Sequence, residues 1–171
     1  ISVITGTIFV VMVTRKLTPD ELGLWVLIGS MVGYVTIIEP IVTYWTTRQI
    51  ARGEQVGKTA ISTTGLFSIG GFIIYSIIAI YISYSLGADL GILLLASVLV
   101  PLSFLNNTLN SICLGFKPQV VSYGLIGFES AKIPLGLIFV VFIPLGIAGA
   151  LIATIGANIA NLVLLIYFSK E

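Results

Sequence analysis

Apolar residues run along this chain in long blocks, broken by short polar or proline-containing stretches. Several blocks exceed the roughly 20 residues that a helix needs to cross a ~30 Å hydrocarbon layer. The pattern predicts six membrane helices: a short first one over 1–14, then 22–45, 59–84, 90–114, 119–143 and 147–168. The first break reads Arg15-Lys16-Leu17-Thr18-Pro19-Asp20-Glu21. There Thr18 can cap the second helix, with Pro19 at its first position. A basic loop, Thr46–Lys58, follows the second helix, and Gly87-Ala88-Asp89, Gly115-Phe116-Lys117-Pro118 and Pro144-Leu145-Gly146 make the later turns. Pro40 and Pro101 fall inside helices and predict kinks, because proline has no N–H to donate. Open sheet edges cannot face lipid, and a barrel strand would alternate polar and apolar residues over ~10-residue segments. The fold class is therefore all-α, a polytopic transmembrane helix bundle.

Composition sharpens this. Charged residues make up 9% of the chain and hydrophobic ones 57%, against about 25% charged in soluble domains. A net charge of +1 leaves no nucleic-acid footprint. Cys113 is the single cysteine and histidine is absent, which excludes an intrachain disulfide and removes the commonest metal ligand. There is no HExxH, no Gly-x-Ser-x-Gly, no Walker loop and no Cys/His cluster. No enzyme activity, cofactor or metal is expected. Ile1 opens directly into apolar sequence with no basic region before it and no small-residue cleavage site after it, so it does not read as a signal peptide. It reads as a longer protein cut within its first helix.

Basic residues orient the bundle. Arg15 and Lys16 lie on one side; Arg48, Arg52, Lys58, Lys117 and Lys170 lie on the other. The richer group belongs in the cytoplasm, which puts both ends of the chain there too. Trp25 near one end of the second helix and Tyr44-Trp45 near the other fit the interfacial aromatic belts.

Polar residues inside the helices are the candidate chemistry. Charge at bilayer depth costs at least ~2.5–3.5 kcal/mol per group, so it usually faces a bundle interior or a polar cavity. Glu129 and Lys132 sit one turn apart in the fifth helix, on a face with Ser122 and Gly136. They read either as a cavity cation with its resting partner or as an ion pair that fixes packing. Lys132 is a flexible cation suited to a phosphate. In the second helix Thr36, Glu39, Thr43 and Thr47 share a face, with Glu39 about 8 Å to the cytoplasmic side of the midplane at 1.5 Å per residue. Glu39 reads as a cavity wall and ion or proton site, or as the partner of Arg48 or Lys132. In the fourth helix Ser103, Asn106, Asn107, Asn110 and Ser111 share one side. Their amides can bond neighbouring helices or sugar hydroxyls. Gly149, Ala153, Ala157 and Asn161 in the sixth helix, with Ala150, Thr154 and Asn158 beside them, form a small-residue seam for close helix approach. Gly127 and Ala131 can do the same in the fifth.

The stretch Arg15–Trp25, RKLTPDELGLW, resembles the "R-x-L-x-P-x-E-x-G-x-[YW]" break after the first helix of polysaccharide-biosynthesis flippases. These belong to the multidrug/oligosaccharidyl-lipid/polysaccharide exporter superfamily. Arg48-Gln49-Ile50-Ala51 is similar to that family's "R-x-I-A". Pro101-Leu102 through Leu114-Gly115-Phe116-Lys117 resembles its fourth-helix stretch, Lys132 its fifth-helix basic residue, and Gly146-Ile147-Ala148-Gly149-Ala150 the start of its sixth helix. The chain departs at Glu39-Pro40-Ile41, where many relatives carry Asp-x-Gly. It also lacks, over Ile1–Thr14, the first-helix carboxylate common in proton-coupled drug exporters.

The resemblance implies that residues 1–171 are the N-terminal six-helix lobe of a two-lobe plasma-membrane transporter. The cargo it implies is a lipid-linked oligosaccharide, flipped for polysaccharide or glycan synthesis by alternating access while its lipid tail stays in the bilayer. Partners would be that substrate, bilayer lipids and the missing C-terminal lobe. Substrate-cavity residues would be Lys132, Glu129, Glu39, Asn106 and Asn110, with no catalytic or metal-binding residues. Two other readings stand beside it: a drug or small-molecule antiporter of the same superfamily, and a membrane scaffold subunit that transports nothing. A scaffold would bury Glu39, Asn106, Asn110 and Lys132 in tight helix contacts.

Overall fold

Proline and capping residues set most of the helix boundaries. A computed structural model describes residues 2–169, so Lys170, used above in the orientation, lies outside the described residues. The helices are α1 (Ser2–Lys16), α2 (Pro19–Val35), α3 (Glu39–Ala51), α4 (Gly57–Leu86), α5 (Leu90–Ser97), α6 (Leu99–Phe116), α7 (Pro118–Gly136) and α8 (Gly146–Ser169). A π-helical turn, Leu137–Phe142, continues α7. Among the described residues there is no strand.

Four helical stretches are long and apolar enough to cross a membrane: Gly57–Leu86, Leu90–Phe116, Pro118–Phe142 and Gly146–Ser169. A fifth results if α2 and α3 form one span, bent by 53°. The helix expected over 22–45, with a kink at Pro40, is thus two helices. The first helix has 15 residues among those described.

Two of the three helix interruptions share a cause. Pro40 cannot donate to the carbonyl of Thr36, which instead accepts the N–H of Glu39 at 2.9 Å. Ile41 then donates to Ile38 at 3.2 Å, and the ladder tightens before α3 resumes. The break therefore falls at Thr36–Ile38, in the turn before the proline. The kink expected from Pro101 falls likewise at Val98, whose N–H reaches back to Leu95. Pro134 is the third, inside α7. Three residues after it the helix widens into the π turn, where Ile143 donates to Ile138 at 2.8 Å.

The α1–α2 corner is built from its own sequence. Thr18 caps α2 as expected, and Glu21 completes a capping box by accepting the Thr18 N–H at 2.9 Å. The other Glu21 oxygen accepts the Ile147 N–H at 3.4 Å, tying the start of α2 to the start of α8. Gly146 makes that junction possible. Its φ is +57°, and an added Cβ would collide with the Glu21 carboxylate.

Packing follows membrane rather than soluble rules. α4 turns its small and polar positions inward (Ala60, Thr64, Ser68, Gly71 and Ala79, with Tyr75), while Ile61, Leu66, Ile69, Ile73, Ile77 and Tyr81 are exposed. Lipid is as apolar as isoleucine, so close backbone approach and buried hydrogen bonds hold the helices instead. Thr108 donates to Thr64 at 2.8 Å across the α4–α6 contact. The main core joins Phe9, Ile28, Met31, Tyr75, Leu93, Phe104, Val140 and Leu151. Gly149, Ala150, Ala153 and Ala157 are buried in α8, as the seam predicts. Gly124 and Gly127 bring α7 against Asn161, Leu164 and Leu165 of the same helix.

Candidate functional site

The bend between α2 and α3 carries Glu39 to the first turn of α3 and turns its side chain toward α6. The residue is 6% exposed. An ionised carboxylate is favoured at that end of a helix by the peptide dipoles. Facing it, Asn107, Asn110 and Ser111 follow one stripe of α6, because positions three and four apart share a helix face. The two stripes meet in a cleft of about 260 Å³ lined by Glu39, Pro40, Thr43, Asn107, Asn110, Ser111, Leu114 and Val121. Thr47, one turn beyond Thr43, donates to the Ser111 carbonyl at 3.1 Å and pins α3 to α6.

The cleft is rich in oxygen lone pairs. Thr43 Oγ1 donates its proton to the Pro40 carbonyl at 3.2 Å, and Ser111 Oγ donates to the Asn107 carbonyl at 2.7 Å. Both hydroxyls are left as acceptors toward the cleft. The Asn107 side chain interacts with the Glu39 carboxyl, and Glu39 Oε1 has no hydrogen-bond partner among the described residues. No basic side chain lines the cleft. Neither basic residue weighed as the partner of Glu39 occupies that place: Arg48 is exposed, and Lys132 lies elsewhere.

Lys132 extends from α7 to the α1 side. Its ammonium lies 5.0 Å from the centre of the Phe9 ring and 5.1 Å from that of Phe128, within the range of cation–π attraction. It is half-buried, and Glu129, one turn earlier, is buried. Gly136 on the same face packs under Phe9 and Met12. The stripe expected to wall a cavity thus meets α1, and neither Glu129 nor Lys132 lines the Glu39 cleft.

Asn106 is buried, and its amide donates to the Asn158 carbonyl oxygen at 3.1 Å and to its side-chain oxygen at 3.2 Å. It joins α6 to α8, the packing use of an intramembrane asparagine. Of the five expected cavity residues, then, Glu39 and Asn110 come together, Asn106 lies in a helix contact, and Glu129 and Lys132 form a separate group. The cleft adds Thr43, Asn107 and Ser111. Their signal was present as helical spacing from Glu39 and Asn110, as was that of Phe128 four residues before Lys132, whereas Phe9 left none.

Compared with protein-family models, curated proteins and solved structures, the chain matches none.

Proposed function

We propose that this chain is the N-terminal six-helix lobe of a plasma-membrane flippase for lipid-linked oligosaccharides. One observation carries the transport reading. A polar cleft opens on the bundle surface within helices that span the membrane, with Asn107 exposed and Glu39 at its base. Amides and a carboxylate facing hydrocarbon would each cost several kcal/mol. Such a surface is stable against a second lobe or a water-filled cavity. The resemblance of the Arg15–Trp25 break and the later motifs to polysaccharide flippases gives the cargo. In this reading the cleft supplies hydrogen bonds to sugar hydroxyls, and Lys132 supplies the positive charge for the pyrophosphate. The helix that carries Lys132 also lines the cleft through Val121, so a long head group engages each in turn.

The scaffold reading has its own support in Asn106–Asn158 and Thr108–Thr64, polar contacts that hold helices together. Asn110 does not fit it, since it is half-buried and lines open space.

The test is the full-length protein in proteoliposomes with a fluorescent lipid-linked oligosaccharide in the inner leaflet. Exposure of the sugar to an impermeant reagent should be faster than in protein-free vesicles. Equal rates would exclude the flippase, and efflux of small drugs instead would select the antiporter.

Orientation is tested separately. The basic-residue asymmetry places the α3–α4 loop in the cytoplasm and the α4–α5 turn outside. Gln55 and Asp89 are both exposed, and Cys113 is buried. In a Cys113→Ala background, an impermeant thiol reagent on intact cells should label a cysteine at Asp89 and spare one at Gln55. The reverse pattern inverts the topology.

A further inference from the structure

We infer that the cleft between α3 and α6 is a binding site for a hard monovalent metal cation, sodium or potassium, held by Glu39. The inference deepens the transporter reading by naming a coupling ion, but the site itself rests on its own geometry.

Three features of the cleft agree. First, Glu39 is a carboxylate with one oxygen unpartnered among the described residues, in a residue 6% exposed, and it lines the cleft. A buried carboxylate with an empty lone pair is costly unless something positive completes it. Second, the surrounding groups are oxygen donors suited to a hard cation: the amides of Asn107 and Asn110 and the hydroxyls of Thr43 and Ser111. Both hydroxyl protons are already directed at backbone carbonyls, so these groups present lone pairs to the cleft. An anion would find few donors there and a carboxylate opposing it. Third, the charge matches. One carboxylate and no basic residue line the cleft, so a single positive charge neutralises it. Calcium or magnesium prefers more anionic oxygens, and no group of three or more acidic, histidine or cysteine side chains is gathered among the described residues.

The helix break gives the site a reason to be where it is. Interrupted helices in membrane transporters place ion-binding groups at depth, because irregular backbone is tolerated there only against protein or a wet cavity. Here the 53° bend sets Glu39 at the start of the second half-helix, directed at α6.

Direct binding of radioactive sodium (22Na+) and of rubidium (86Rb+, standing for potassium) to the purified full-length protein tests this, with choline chloride holding ionic strength. Wild type should bind one of the two saturably at pH 8. Glu39→Gln should lose one equivalent per protein, and Asn110→Ala should weaken that equivalent about tenfold, the loss of one good ligand. Size-exclusion profiles of the variants check folding. Should Glu39→Gln fail to fold, Asn110→Ala and Thr43→Val carry the test. Wild-type protein that binds neither ion overturns the inference, as does binding that these substitutions leave unchanged. Binding needs no cargo, so a flippase that moves no sugar and a cleft that holds no ion give different results.

Discussion

Replacing Gly149 by alanine is expected to destabilise the protein by about 3 kcal/mol, the upper end of what overpacking costs. Gly149 lies in the first turn of α8, against the π turn that ends α7. An added Cβ would meet the Phe139 carbonyl oxygen and lie 2.8 Å from its carbonyl carbon. These are backbone atoms, and they cannot rotate away. The same oxygen accepts the Leu145 N–H at 3.2 Å, which helps fix the turn between the two helices. On the other side, the Leu145 Cβ would be 3.2 Å away. Relief requires moving α8 away from the π turn, and that opens the seam at Ala150 and Ala153. Two controls separate this from a general glycine effect. At Gly127 an added methyl meets the flexible end of Leu164, which can turn aside at smaller cost. At Gly70 nothing lies within 4 Å, so alanine there should be neutral or gain the roughly 0.5–1 kcal/mol of a better helix former. Unfolding midpoints of the purified variants in detergent should rank Gly70→Ala highest, then Gly127→Ala, then Gly149→Ala. A Gly149→Ala protein as stable as Gly70→Ala would show that the α8 seam is not close-packed.

How far the sequence could be read depends on how local each feature is. The Thr18 cap, the Pro40 and Pro101 kinks and the small face of α8 rest on residues within one or two turns of each other, and all are present. Even there, position shifts. A proline removes a bond to the residue four before it, so each break lies upstream of the proline: at Thr36–Ile38 for Pro40 and at Val98 for Pro101. The π turn lies downstream of Pro134, where this rule gives it no place. Glu21 completing the Thr18 cap is a four-residue pattern, but its reach to Ile147 is not local. Pairings between helices were not legible at all. Asn106, Asn107 and Asn110 look alike in sequence, yet one bonds α8 and two line a cleft. Only the rotation of α6 between α3 and α8 decides which. Lys132 has a carboxylate one turn away, so the sequence offered Glu129 as its partner. The rings that surround its ammonium come from α1 and from its own helix at Phe128, and nothing in the order of residues marks Phe9 for that place.

Lys132→Ala is expected to abolish flipping while protein abundance falls only modestly. Within the flippase reading, Lys132 is the cation that meets the pyrophosphate. The two rings hold a charge in place without neutralising it: each contact contributes roughly 0.5–2 kcal/mol and leaves the ammonium able to donate to an anion. Alanine removes the charge and those contacts together. It also leaves the buried Glu129 one turn away without that positive neighbour. If the region is dry and the two act as a pair, breaking it costs on the order of 3–5 kcal/mol; a wet cavity softens the loss. Half-burial of Lys132 favours the smaller figure. Lys132→Arg should keep part of the activity, because a guanidinium retains the charge and stacks on aromatic faces but meets phosphate with a different shape. Flipping rates in proteoliposomes, normalised to protein incorporated, separate the cases. Normal transport by Lys132→Ala would remove the phosphate role. If instead the protein vanishes from the membrane, and Glu129→Gln/Lys132→Met restores both abundance and transport, then Lys132 and Glu129 serve packing. The cargo's charge would then have to be met elsewhere in the transporter.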